Sequence, residues 1–493
     1  MAADVPGASS SGGYPGSEHD AEWRRLVLPA DYRQPAPRER YHLVVIGGGP
    51  AGLAAATRAA SLGASVALVE RHAMGGDYVN VCVPSKALLE LSRDPSLGFD
   101  DAFARLRRVR AGIAARASVE RLAAAGIDVF HGSARFVDDD LVQVGSARLA
   151  TRRTVIATGS HPVLPPIRGL ADSRPLTHET LFELRRPPKR LAILGAASIG
   201  CEIAQAFARL GVEVVLIERA ERVLPDEDPR ASETIAAALR DAGVSILPGA
   251  DVSSVERRGA SVSLDVDTAG ERAHVVADEL FVSAEREPTT DELNLAAVGV
   301  ELDAAGRIVV DRYLRTTNPK VYAAGDVCSA VELAHNADAH ARIVVRNALF
   351  APTATTDRLV IPRCTFTDPE VAQIGPLAGD LERDGVGFDR YASSLDELDR
   401  GRIQGSSGFV EILTEAGTDR IIGATIVARG ASELVAPIAI AMTQRLGLSA
   451  IGEAVLPYPT LSELLRHAAE RYRRTRVSPL KKRLIEAWLN WRA

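Results

Sequence analysis

Two segments of this chain follow the same plan, and that plan limits the fold more than any other feature. The first begins with an apolar run, Tyr41-His42-Leu43-Val44-Val45-Ile46, and passes through Gly47-Gly48-Gly49-Pro50-Ala51-Gly52 into an Ala-rich helical stretch. A strand from Ser65 to Val69 follows and ends in Glu70. The second begins at Leu191-Ala192-Ile193-Leu194, turns at Gly195-Ala196-Ala197-Ser198-Ile199-Gly200, and ends its next strand, Val212 to Ile217, in Glu218. Runs of this kind suit strands buried on both faces of a parallel sheet. A strand, a Gly-rich turn and a helix together form a cradle for a dinucleotide pyrophosphate.

The two cradles are unequal. In the first, Gly47 allows the tight turn, Gly49 lets backbone approach a pyrophosphate, and Gly52 lets helix pack on strand. Glu70 stands where a carboxylate can hold a ribose diol. In the second, Gly195 and Gly200 are kept, and Glu218 stands where a carboxylate can bond a ribose 2′-hydroxyl. The middle glycine is Ala197, whose methyl crowds the point where backbone should meet the pyrophosphate.

A length of 493 residues implies two to four domains. The net charge of −6 gives no reason to expect nucleic-acid binding. The four cysteines, Cys82, Cys201, Cys328 and Cys364, lack metal-ligand or disulfide spacing, so no metal site is expected and a cytoplasmic location is. No secretion signal and no membrane-length apolar stretch is read. Residues 1–40, rich in Gly, Ser, Pro and charge, read as a flexible extension.

The segment Gly75-Gly76-Asp77-Tyr78-Val79-Asn80-Val81-Cys82-Val83-Pro84-Ser85-Lys86 resembles the redox motif of the pyridine nucleotide-disulfide oxidoreductases, the family of glutathione, dihydrolipoamide and mercuric reductases. The family pattern is roughly G-G-T-C-x-N-x-G-C-x-P-[ST]-K. Here Tyr78 stands at the first cysteine, the glycine before the second is missing, and Cys82 alone remains. A dithiol relay needs two sulfurs within bonding distance, so the segment reads as unable to run that chemistry.

Further matches run along the chain. Thr158 and Gly159 resemble the segment closing the flavin domain, Gly325 and Asp326 the motif that meets the flavin's ribityl and phosphate region, and Ala134 the segment beside the adenine. Ala334 lies where backbone reaches the isoalloxazine. Lys86 and Glu202 match the ion pair beside flavin N5, and Cys82, with Lys86 nearby, would hold a stabilised thiolate. Glu285 replaces a glycine near the nicotinamide dinucleotide. Tyr458 stands at the position of the histidine that reaches the partner subunit, with Glu463 kept as its orienting carboxylate.

The resemblance, strongest toward the mercuric-reductase-like branch, implies an α/β fold of two Rossmann-like nucleotide-binding domains plus a C-terminal α+β dimerisation domain. The expected boundaries are 41–187 for the first part of the FAD domain, 188–301 for an NAD(P)H-binding-like domain, 302–362 for the second part of the FAD domain, and 363–471 for the interface domain. FAD is the expected cofactor, NAD(P)H binding is left open, and a homodimer is expected. Mercuric reduction is not, since the cysteine pair is lost and the sequence ends Leu489-Asn490-Trp491-Arg492-Ala493. Residues 472–493 read as a basic amphipathic tail with Leu480, Leu484, Ile485, Trp488 and Trp491 at near-helical spacing. Docking on its own protein is preferred over membrane contact. The expected activity is oxidoreduction of a small organic substrate directly at the flavin, in specialised metabolism. The alternatives are an NAD(P)H-dependent reductase of quinones or similar acceptors and a non-catalytic FAD-binding protein.

Overall fold

The computed structural model describes residues 14–268, 270–283, 285–476 and 479–492. Strand β1 (Leu43–Ile46) is buried along its whole length and pairs in parallel with β2 (Val66–Glu70). The sheet continues through β3 (Ile127–His131) on one side and through β7 (Thr154–Ile156) and β17 (Val321–Ala323) on the other. Alternate residues of a strand face opposite ways, and both faces here are covered. Leu43 and Val45 pack toward helices α2 (Pro50–Ser61) and α8 (Ala334–Leu349). Val44 and Ile46 pack toward an antiparallel meander of β4 (Ala134–Asp138), β5 (Leu141–Val144) and β6 (Ala147–Ala150).

The second domain repeats this scheme. Its parallel sheet has the order β11-β10-β9-β15, built from β9 (Arg190–Leu194), β10 (Glu213–Ile217), β11 (Ser245–Leu247) and β15 (Glu279–Val282). Leu191 and Ile193 join the core that includes α6 (Ser198–Arg209) and α7 (Pro229–Asp241). Ala192 and Ile217 pack against the meander of β12 (Ala250–Arg258), β13 (Ser261–Thr268) and β14 (Glu271–Ala277). A two-stranded link, β8 (Ser160–Val163) with β16 (Glu285–Pro288), brings the chain back. Leu293, Leu295, Val298 and Val300 already lie in the first domain's core. The return therefore falls at β16, ahead of the boundary at 302 expected from sequence.

The third domain is an antiparallel sheet of order β18-β19-β22-β21-β20, with β18 (Arg363–Thr365), β19 (Glu370–Ile374), β20 (Phe388–Ser394), β21 (Phe409–Glu415) and β22 (Ile421–Ala428). Helices α9 (Ala378–Arg383), α10 (Asp399–Gln404), α11 (Ala431–Thr443), α12 (Leu448–Glu453) and α13 (Glu463–Thr475) surround it. Ile440, Val455 and Tyr458 are left exposed on the single chain.

Two expectations about the ends change. Residues 17–27, placed in a flexible extension, form helix α1 (Ser17–Val27), which packs on α4 (Phe99–Ala114). The short helix α5 (Val119–Ala124) follows α4, and α3 (Val83–Leu91) precedes it. At the other end, α14 (Pro479–Arg492) exposes Leu480, Leu484, Ile485, Trp488, Leu489 and Trp491, so it does not dock on its own chain as the sequence reading preferred. Among the described residues no helix is long and apolar enough to cross a membrane.

Candidate active site

The site is built from the Gly-rich turns outward. Gly47 has a φ of 108° and would place a Cβ 2.2 Å from the carbonyl oxygen of Ala157, so only glycine fits. A Cβ on Gly52 would lie 1.8 Å from the Gly47 oxygen, which explains the close helix–strand crossing. Gly49 differs: it is the N-cap of α2, extended at φ −78°, ψ −168°, and its missing side chain faces open space. A pyrophosphate can reach backbone there, at the positive end of the helix. The adjoining cleft is lined by Gly47, Glu70, Arg71, Gly132, Ala134 and Thr158. These residues fit FAD.

Glu70 closes the turn by accepting from the Gly48 amide at 2.6 Å and the His72 amide at 2.7 Å. The second domain reproduces this bond for bond. Glu218 accepts from the Ala196 amide at 2.6 Å and the Ala220 amide at 2.8 Å. Gly195 keeps its positive φ of 98°, and Gly200 lies against the Gly195 carbonyl. Ala197 is the N-cap of α6 at φ −68°, ψ −179°, nearly the same conformation as that of Gly49, and it is exposed. Its methyl therefore leaves the fold undisturbed and acts only on what would bind. Glu285, exposed, follows two residues after Ser283, which packs on the Gly195 turn.

The segment with the lone cysteine forms a π-helical turn, Tyr78–Cys82, running directly into α3. Cys82 therefore lies inside a continuous helical run rather than at a fresh helix N-terminus, and its carbonyl accepts from the Ser85 hydroxyl at 3.1 Å. Burial pushes the Cys82 thiol up from its ordinary value, and Lys86 offsets only part of this. Burial therefore works against the stabilised thiolate expected from sequence. Tyr78 is half-buried against the core that holds Met74 and Val79, as is Trp23. All four cysteines are free.

Lys86 and Glu202 do meet. Lys86 Nζ is 2.7 Å from Glu202 Oε2, while Glu202 Oε1 accepts from the Phe366 amide at 2.9 Å. Glu202 is only 1% exposed and the lysine ammonium lies 4.8 Å above the Phe366 ring. The pair bridges α3 of the first domain to α6 of the second.

One hub was missed as a site by the sequence reading. Arg286 donates to Asp77 Oδ2 at 2.6 Å, to the Ser160 hydroxyl at 2.8 Å and to His178 Nε2 at 2.6 Å. Ser160 in turn donates to Asp326 Oδ2 at 3.0 Å. Burial pushes the Asp326 carboxyl up, with Arg286 opposing. Burial pushes His178 down to about 4, and the adjacent guanidinium adds to this, so its imidazole is the neutral acceptor. Arg286 and Asp77 were visible in the two motifs, but their partners come from three other segments. Thr158 donates to the Thr289 carbonyl at 2.6 Å, beside Gly159, whose carbonyl accepts from the Thr289 amide. The Gly325 amide donates to His340 Nδ1 at 3.3 Å, and Ala334 opens α8.

Tyr458 and Glu463 are not partners. The Tyr458 hydroxyl donates to Asp399 Oδ2 at 2.6 Å, whereas Glu463 accepts from Arg466 at 2.7 Å. The Asp399 bond pushes the phenol up from its ordinary value, and the side chain is 70% exposed on the single chain.

Two family models cover most of the chain: pyridine nucleotide-disulphide oxidoreductase over residues 41–341 and its dimerisation domain over 361–469. The chain belongs to this family. Members bind FAD and take electrons from NAD(P)H, and the dimerisation domain makes a homodimer the expected assembly. Mercuric reductase of Lysinibacillus sphaericus is 34% identical over 450 residues, 87% of this chain and 82% of that protein. Dihydrolipoyl dehydrogenase of Bacillus subtilis is 31% identical over 452 residues, 87% of this chain and 95% of its own. Among solved structures, the copper(II) complex of the HOCl-induced flavoprotein disulfide reductase RclA from Escherichia coli matches with a TM-score of 0.80 at 26% identity, over 88% of this chain and 100% of RclA. LpdA from Mycobacterium tuberculosis matches with a TM-score of 0.79 at 29% identity, over 88% and 99%. The fold expected from sequence is therefore the fold found, and the chain is an FAD-dependent oxidoreductase.

Proposed function

We propose that this oxidoreductase works without a dithiol–disulfide relay and passes a hydride or electrons directly between the flavin and a small organic substrate. One observation carries the reading: in the segment that resembles the redox motif, a half-buried tyrosine stands four residues before a single free, half-buried cysteine. A thiol whose ionisation is disfavoured is a poor nucleophile, because the thiolate is the reactive form. FAD, when bound, supplies the two-electron redox centre.

The side chains then take simpler roles. Lys86, held by Glu202, presents a fixed positive charge where a cation favours reduced flavin. Cys82 offers a weak S–H donor. Tyr458 of the partner subunit, if the dimer forms as in the family, offers a phenol that stays protonated and serves as donor or acid rather than base.

A second reading, NADH-dependent reduction of quinone-like acceptors, is supported by the intact Glu218 bonds of the second turn. Anaerobic dithionite titration tests the shared premise. A flavin alone takes up two electrons per FAD, whereas a flavin with a redox disulfide takes four. Uptake of four would overturn the proposal. Flavin bleaching by NADH then favours the second reading, and bleaching only by an organic reductant favours the first.

A further inference from the structure

Helix α1 lies ahead of residue 41, where the family match starts, and RclA is covered to its full length by 88% of this chain. It is held by buried charge. Asp20, 2% exposed, sits between two buried arginines of α4: its Oδ1 is 2.5 Å from Arg110 Nη2 and its Oδ2 is 3.1 Å from Arg107 Nε. Tyr14 donates to Asp20 at 2.7 Å and stacks over the Arg107 guanidinium at 4.8 Å. Arg110 also pairs with Glu183 at 2.8 Å. A buried carboxylate shared by two guanidiniums fixes orientation, because removing either side strands a charge.

What this anchoring presents to the active site is specific. Trp23, whose ring lies 4.4 Å from the Arg110 guanidinium, donates its indole N–H to Asn80 Oδ1 at 3.1 Å. Asn80 is inside the π-helical turn, midway between Tyr78 and Cys82. At the other end of the helix, the Val27 carbonyl accepts from the Met74 amide at 3.1 Å, immediately before Gly75. Helix α1 thus grips the redox segment at its entry and at its centre.

We infer that α1 is a positioning helix, with Trp23 as its positioning residue, which holds the Tyr78–Cys82 turn in register against the flavin. The physical need is clear. A disulfide would cross-link this turn to itself, and a turn with one cysteine has no such restraint, while π-helical geometry is weaker than α. An external hydrogen bond from a rigidly anchored helix supplies the missing restraint. This rests on the relay-free reading above only for the reason the restraint is needed.

The test uses the purified flavin-loaded protein. Trp23→Phe keeps an aromatic ring over Arg110 and removes the N–H; Asn80→Ala removes the acceptor from the other side. Each variant and the double variant are treated with iodoacetamide under native conditions, and the Cys82 peptide is followed by mass spectrometry. Losing one hydrogen bond should speed Cys82 modification about fivefold through easier local opening. The double variant should match either single one, because both remove the same bond. The flavin absorption band should shift in all of them. A lower melting temperature with an unchanged Cys82 rate and unchanged flavin spectrum would show a merely structural helix and overturn the inference, as would additive effects in the double variant. Because alkylation needs no turnover, this outcome is independent of the electron count that tests the relay-free reading.

Discussion

The second nucleotide turn should be repairable by two substitutions. Ala197 and Gly49 occupy the same N-cap conformation, so Ala197→Gly introduces no strain, and glycine is the better N-cap by a few tenths to about 1 kcal/mol. Its effect falls on the ligand. If the methyl denies the pyrophosphate one charge-assisted bond to backbone, restoring it is worth about 1.5 kcal/mol, or roughly tenfold in Kd. Glu285 is exposed, so its repulsion acts through a high dielectric. At about 6 Å, with an effective dielectric of about 40–80, a unit pair costs about 0.7–1.4 kcal/mol, or roughly three- to tenfold. The two substitutions act by different means and should combine to roughly thirty- to a hundredfold tighter NADH binding.

The assay is anaerobic titration of the flavin band with NADH, at low and high salt. The Glu285→Gly gain should shrink at about 1 M salt, where the Debye length is about 3 Å. The Ala197→Gly gain, being steric, should persist. An Ala197→Gly variant that bleaches at the same NADH concentration as the parent would refute the steric argument. A salt-independent Glu285→Gly gain would refute the electrostatic one.

Other expected outcomes follow from the same geometry. Tyr78→Cys should not produce NADH-dependent reduction of oxidised glutathione, because the turn is one residue short of the family pattern and burial pushes the Cys82 thiol up from its ordinary value; appreciable turnover would refute this reading of the turn. Lys86→Met should lower stability by about 1–3 kcal/mol, at the low end because the lysine side chain is 37% exposed, and should also lower the flavin midpoint potential; an unchanged potential would separate Lys86 from the flavin. His340 is pushed down to about 4 by burial, so it is neutral in the fold while the unfolded imidazole protonates near its ordinary 6.5. Its contribution is therefore full above about pH 6.5 and lost as pH falls toward about 4. Compared with His340→Asn, the parent should lose more melting temperature between pH 7 and 5, and equal losses would count against it.

Local geometry made much of this legible. Gly52 and Gly200 are dictated by the carbonyls of Gly47 and Gly195 five residues earlier, Gly47 and Gly195 by their positive φ, and Glu70 and Glu218 close turns of their own units, so short-range pattern was enough. Lys86 and Glu202 come from different domains and were found only through the family's motif. What escaped was set by tertiary burial. The polar composition around Asp20 reads as a solvated extension until Arg107 and Arg110, far along the chain, enclose it. Lys86 one turn beyond Cys82 reads as a thiolate stabiliser until burial outweighs it. Tyr458 and Glu463 read as a pair until Asp399 and Arg466 each supply a nearer partner.

The departures from the family pattern have a common character. By the resemblance read from sequence, Tyr78, the missing glycine, Tyr458, Ala197 and Glu285 would all fall on positions that serve electron exchange with disulfide or nicotinamide in the family. The turn of Gly47, Gly49, Gly52 and Glu70, which we propose cradles FAD, keeps its pattern and its geometry. A scaffold kept only for shape would have no physical reason to confine its changes this way. Nor would it need Lys86 held in place by a buried carboxylate, since a buried pair adds little to stability over an apolar replacement. The retained charge makes sense where a flavin still changes its redox state, and the altered positions then define which partner it changes with.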